Sequence, residues 1–132
     1  MHSTFVLHAA AEAAMGAIRL ARVYDHAPAH GNVYLVERLW PRGVRKEDLH
    51  VDGWLKDVAP STELRKWFGH DPGKWAEFRR RYTAELDADP QAWQPLVDAA
   101  RTSDVTLLYS SRDQEHNNAV VLRDYLTERL GD

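Results

Sequence analysis

Apolar and polar residues alternate over Ile18–Arg19–Leu20–Ala21–Arg22–Val23–Tyr24, and this period of two predicts a strand. Asp25 to Gly31 carries Pro, Gly and Asp and reads as a loop. Val33–Tyr34–Leu35–Val36–Glu37 is β-branched and aromatic, which predicts a second strand. That strand should end near Trp40, because Pro41 removes a backbone donor and Gly43 permits unusual dihedrals. Val44 to Pro60 is a long connection with local structure expected around Leu49–Val51 and Trp54–Val58.

The period then changes to 3.6. Ser61 is placed to cap a short helix through Phe68 that buries Leu64, Trp67 and Phe68, with Gly69 as its stop. Asp71–Pro72 is a second start signal, followed by the stripe Trp75, Phe78, Tyr82 and Leu86. Asp89–Pro90 is a third, followed by Trp93, Leu96, Val97 and Ala100. Val105–Tyr109 is a short apolar strand, expected at the centre of the sheet. Asp113 is the expected cap of a last helix running to about Arg129. This order predicts an α/β fold, a single layered domain with a small, partly parallel sheet flanked by helices. Pairing of the first two strands as a hairpin would make that sheet mixed. Residues 18–132 form the expected domain, and residues 1–17, with the Ala-rich stretch Ala9–Ala17, read as a variable extension.

Composition narrows the function classes. Hydrophobic residues are 44% and charged residues 28% of a 132-residue chain, which excludes a disordered or fibrous protein. No run approaches the roughly 20 apolar residues of a spanning helix, so no membrane role is expected. The chain has no cysteine, which excludes thiolate catalysis, disulfides and cysteine-held metal clusters and suits a cytoplasmic setting. The formal net charge is −3 and neither half is strongly basic, so no nucleic-acid partner is expected.

The richest polar stretch follows the last strand: Tyr109, Ser110, Ser111, Arg112, Asp113, Gln114, Glu115, His116, Asn117 and Asn118. Ligands of open α/β sheets lie beyond the carboxyl ends of strands, where free amide groups of the next helix favour anions. In this stretch His116 can transfer a proton. A structural alternative is a capped helix with solvated asparagines.

A second group follows the second strand. Arg38, Arg42, Arg45 and Lys46 are flanked by Glu37, Glu47 and Asp48, with Trp40 as a stacking face. Arginines there suit bidentate contacts with phosphate or carboxylate. The alternative has Arg38 paired with an internal acid such as Asp57 and Trp40 in the core. In a third group, Ser61 resembles an anion seat at a helix start. Arg65 sits one turn on, Asp57 is a partner for Arg65 or for a ligand, and His70 follows Gly69.

The tryptophans read chiefly as core, and Arg79–Arg80–Arg81 as a solvated helix face. His26 and His30 are four apart but separated by Ala–Pro–Ala. No diagnostic metal-ligand spacing occurs, so no metal site is assigned. GxGxxG, P-loop and GxSxG patterns are missing, and the sequence names no cofactor.

The segments RLWPRGVRKEDLHVDGWLKDVAPSTELRKWFGHDPGKWAEFRRRY (Arg38 to Tyr82) and VTLLYSSRDQEHNNAVVLRDYL (Val105 to Leu126) closely resemble the YeaO-like branch of the domain-of-unknown-function 488 proteins. The resemblance covers about Arg19 to Leu130. It implies an intracellular α/β domain of bacterial type and a shared polar site. The matching positions are Arg38, Trp40, Arg42, Gly43, Asp57, Ser61, Arg65, Trp67, His70, Asp113, His116 and Asn117. More distant members place cysteine on the last strand and near the following helix. Tyr109 and an Asn-rich segment stand here instead, so no thiol chemistry carries over.

The leading expectation is a site for a small anionic ligand at the carboxyl ends of the strands, bearing phosphate or carboxylate, with His116 or His70 as acid or base. Arg38, Trp40, Arg42, Asp57, Ser61, Arg65, Tyr109, Ser110, Arg112, Asp113 and Asn117 are the candidate binding residues. A non-catalytic partner-binding or regulatory module is a second reading, motivated by the tryptophan-rich Arg38–Trp75 region and the absence of a catalytic triad. Histidine-mediated metal or haem binding is a third. Oligomeric state is left open by the sequence.

Overall fold

The computed structural model describes residues 16–25 and 31–131. Strands β1 (Ile18–Arg22), β2 (Asn32–Leu35), β3 (Gly53–Trp54) and β4 (Val105–Tyr109) form one sheet in the order β1-β4-β2-β3. Every pairing is parallel. The hairpin of the first two strands, and with it the mixed sheet, is therefore not formed, because β4 inserts between β1 and β2. All five residues of β4 are buried, the continuous apolar pattern of a strand covered on both faces. Ile18 and Asn32 both lie level with Val105, so β1 and β2 flank β4 in matching register and their carboxyl ends share one edge.

Entry into β2 depends on Gly31, which has φ +68°. A Cβ there would stand 1.9 Å from the Asp104 carbonyl oxygen. That carbonyl accepts the Asn32 N–H at 2.9 Å, so chain approach and strand alignment are set together.

The helices are α1 (Thr62–Phe68), α2 (Trp75–Ala88), α3 (Pro90–Ala100) and α4 (Asn118–Leu130). Their apolar stripes meet Val105, Leu107 and Tyr109 on one face of the sheet, with Phe78, Tyr82, Leu96 and Leu122 at the centre. The other face carries Val33, Leu35 and Leu108. It is covered by the connection after β2 through Trp40, Val44, Leu49, Val51 and Trp54. That connection is thus a packing layer, stiffened by short 3-10 turns at Lys46–Asp48 and Lys56–Val58.

The α1 boundaries follow the sequence signals. Ser61 Oγ accepts the Leu64 N–H at 3.1 Å, and Gly69 (φ +56°) ends the helix in the left-handed region. Asp71 accepts from Gly73 N, but Pro72–Lys74 is a 3-10 turn and α2 begins at Trp75. The last helix differs from expectation. Its cap is Asn117, whose side chain accepts from Val120 N, and not Asp113. Among the described residues no helix is long and apolar enough to cross a membrane. Residues 1–15 and the candidate histidines His26 and His30 lie outside the described residues.

Candidate functional site

At the shared carboxyl edge the chain leaves β2 into Glu37–Arg42 and β4 into Ser110–Asn118. Between these segments and the end of α1 lies a cavity of about 450 Å³. This is the position where open parallel sheets receive ligands. The cavity size falls within the roughly 300–1,000 Å³ usual for small-molecule sites.

Of the predicted residues, Arg38, Trp40, Arg42 and Arg65 line this cavity. So do His70, Ser110, His116 and Asn117. Asp57, Ser61, Tyr109, Arg112 and Asp113 do not form its lining. Ser61 and Asp57 border a neighbouring recess of about 140 Å³. The anion seat expected at Ser61 is filled by the chain's own Glu85. That carboxylate accepts the Ser61 N–H at 2.8 Å and the Ser61 hydroxyl at 2.6 Å. Arg112 is exposed, whereas Tyr109 is buried, and burial pushes its phenol above the ordinary range.

Arg38 acts as a strut. Its Nε donates to the Pro60 carbonyl at 3.0 Å and its Nη2 to the Ala59 carbonyl at 3.0 Å, so it does not pair with Asp57. These bonds fix the turn into α1 against the end of β2 and leave one flank of the guanidinium on the cavity. Trp40 packs edge-on to Trp54, with ring centres 5.3 Å apart, and its Nε1 donates to the Val44 carbonyl at 2.6 Å. Tyr24 Oη donates to the Arg42 carbonyl at 2.8 Å and holds the loop that presents Arg42. Arg42 and Arg65 are exposed at the cavity rim, and among the described residues neither side chain forms a hydrogen bond or ion pair.

His70 is the one non-glycine residue with positive φ among the described residues, at +58°. The left-handed region costs a side-chain-bearing residue about 1–2 kcal/mol, and such strain tends to gather at functional positions.

His116 is oriented by Asp113. The ring Nδ1 lies 3.0 Å from Asp113 Oδ2, while Asp113 Oδ1 accepts the N–H groups of Glu115 and His116 at 2.9 Å each. The aspartate therefore closes a tight turn before the helix instead of capping it. The backbone bond from His116, then that from Glu115, holds its carboxyl below the ordinary range. An ionised carboxylate only accepts, so the ring nitrogen facing it, Nδ1, carries a hydrogen. The Trp75 ring meets the imidazole edge-on at 5.2 Å.

Glu37, in sequence only a charge flanking the arginines, belongs to the site as well. Its Oε1 accepts the Ser110 N–H at 2.7 Å and the Ser110 hydroxyl at 3.0 Å, joining the ends of β2 and β4 across the sheet edge. Burial pushes its carboxyl above the ordinary value, opposed by the Ser110 bonds and by the charges of His70 and Arg65. One signal could have found it: a single acid at the carboxyl end of an apolar parallel strand. Asn118, whose Nδ2 donates to the Val36 carbonyl at 2.8 Å, and the loop residue Leu39 also line the cavity.

The tryptophans form no exposed patch. Trp93 is buried and the other four are half-buried, with Lys46, Lys56 and Arg81 over the rings of Trp40, Trp54 and Trp67. Among the described residues no three His, Asp or Glu side chains gather as a group able to hold a metal.

The architecture defines an α/β domain with a polar, arginine-rimmed cavity at the carboxyl edge of a parallel sheet. The chain belongs to the YeaO-like branch of the DUF488 family: residues 17–132 match the family described as the inactive DUF488-N3 subclade. It is 46% identical over 110 residues to YeaO of Escherichia coli K12, spanning 83% of this chain and 96% of that protein. It is 43% identical over 113 residues to Mb3100c of Mycobacterium bovis and to Rv3073c of Mycobacterium tuberculosis, in each case over 85% of this chain and 95% of the relative. No solved structure matches it significantly.

Proposed function

We propose that the cavity binds a small anionic ligand bearing phosphate or carboxylate. The observation that carries this reading is the pair Arg42 and Arg65, two guanidinium groups on the rim of one cavity that form no hydrogen bond or ion pair among the described residues. Guanidinium forks match planar or tetrahedral oxyanions and bind them with charge-assisted hydrogen bonds. The start of the 13-residue helix α4 adds its positive end through Asn117 and Asn118, both on the lining. The subclade's description as inactive agrees with a protein that holds its ligand without converting it.

A second reading, acid–base chemistry at His116, is favoured by the 3.0 Å Asp113–His116 contact. In it the free ring nitrogen takes a proton from the bound ligand, and the ionised Asp113 stabilises the resulting imidazolium.

A thermal-shift series with inorganic phosphate, phosphate monoesters and carboxylates tests the binding reading. Several anions should raise the melting temperature of the wild type, and Arg42→Gln or Arg65→Gln should abolish the rise. Arg79→Gln, which removes a surface ion pair with Asp124, should retain it. Stabilisation by no anion, or equal stabilisation of all four proteins, contradicts the reading.

A further inference from the structure

We propose that Glu37 is a specificity residue and that the ligand is bifunctional: an anionic head for Arg42 and Arg65, joined to a body carrying a hydroxyl or ammonium donor for Glu37. The inference rests on the anion-binding reading and adds what the rest of the ligand must be.

Three observations converge. The first is the unused half of Glu37. Both hydrogen bonds from Ser110 go to Oε1, and among the described residues nothing donates to Oε2. No sealed side-chain oxygen or nitrogen is left unpartnered among those residues, so Oε2 keeps some accessible surface, and Glu37 is one of the residues that line the cavity. A carboxylate oxygen facing a bare phosphate repels it, whereas one facing a donor binds it. An acid in an arginine-rimmed pocket therefore discriminates between a simple oxyanion and an oxyanion with a donor attached.

The second is size. A water molecule occupies about 30 Å³ of liquid volume. Free phosphate is only a few times larger and leaves most of the 450 Å³ cavity unfilled.

The third is the wall. Leu39, Trp40, Pro41, Pro60 and Phe68 supply apolar surface beside the charged groups. Leu39 is 61% exposed and stands out as the exposed large apolar side chain among the described residues. A hydrocarbon or sugar body between head and donor covers this surface, and an inorganic ion does not. Burial contributes as well: it holds the Glu37 carboxyl above its ordinary value, so a donor from the ligand gains a bond in a poorly hydrated place.

Calorimetric titration of the full chain separates the possibilities. The probes are inorganic phosphate, methyl phosphate, ribose 5-phosphate for hydroxyl donors, and phosphoethanolamine for an ammonium donor. Ribose 5-phosphate or phosphoethanolamine should bind the wild type at least tenfold tighter than methyl phosphate. In Glu37→Gln, which replaces the open oxygen with an amide, that margin should fall to threefold or less while methyl phosphate affinity holds or improves. Whichever of the two wins identifies the donor as hydroxyl or ammonium. Equal affinities for all phosphates in the wild type overturn the role of Glu37 and leave anion binding standing. A margin that survives in Glu37→Gln also overturns it. Binding of none of the four overturns the anion site itself and this inference with it. Circular dichroism melting of the variant confirms that it is folded under the titration conditions.

Discussion

Glu37 and Ser110 join the ends of β2 and β4: one carboxylate oxygen takes both the N–H and the hydroxyl of the serine, at 2.7 and 3.0 Å. The bond fixes the floor of the cavity yet keeps a carboxyl where burial disfavours its charge. Its folded pKa lies above its unfolded value of about 4.3. The associated stability is complete below that value and is lost as pH rises through the folded one. At pH 7, above the unfolded value, the carboxyl therefore weighs against the fold. Glu37→Gln should melt above the wild type at pH 7, and the two curves should converge as pH approaches 4. A variant that melts lower at pH 7 contradicts this account of the carboxyl.

His70 makes a second test of strain kept for a site. Its φ of +58° suits glycine better than histidine. After allowing for the extra freedom of glycine in the unfolded chain, His70→Gly should gain about 0.5–1 kcal/mol in denaturant unfolding. His70→Ala should gain nothing, because alanine meets the same steric conflict.

Asp113 sets the tautomer of His116. In the wild type, nitrogen NMR at neutral pH should show the ring protonated at Nδ1. In Asp113→Ala the ring should drift towards the other tautomer, and the turn should loosen with loss of the bonds to Glu115 and His116. Since the folded Asp113 carboxyl lies below its usual value, its contribution is complete above about pH 3.9. It should be lost as pH falls through the lower folded value. A wild-type ring protonated at the far nitrogen would remove the basis for proton transfer to His116.

Tyr125, away from the cavity, tests the helical layer. Its hydroxyl donates to Asp87 Oδ1 at 2.6 Å and Arg129 stacks on its ring at 3.5 Å. Burial, then that bond, pushes the phenol up to about 12. The stabilisation is complete below the unfolded value of about 10 and is lost as pH rises through the folded one. Ultraviolet titration should show a tyrosinate forming near pH 12 that is missing in Tyr125→Phe, and that substitution should cost about 1 kcal/mol.

Much of this was legible locally. The apolar run Val105–Tyr109 announced a central strand, and Ser61 and Gly69 bounded α1 because capping uses neighbours in sequence. Distant events were not legible. β4 enters between β1 and β2 from seventy residues away, so alternation in β1 and β2 alone could not exclude a hairpin. Ser61 looked like an anion seat because Glu85, a helix away, does not announce that it will fill it. Asp113 and Asn117 are both good caps, and only the turn that Asp113 closes decides between them. Glu37 was hidden by its company, an acid among arginines, until the structure separated Arg38, bound to carbonyls, from Arg42 and Arg65.

The proposed site requires Arg42 and Arg65 to serve one anion in one cavity. Titration of nitrogen-15-labelled protein with inorganic phosphate, followed at the arginine Nε–H and histidine ring signals, tests it most directly. Saturable shifts at Arg42, Arg65 and His116 that share one dissociation constant are expected. Shifts that grow without saturation along Arg79–Arg81, with the cavity signals unmoved, would contradict it.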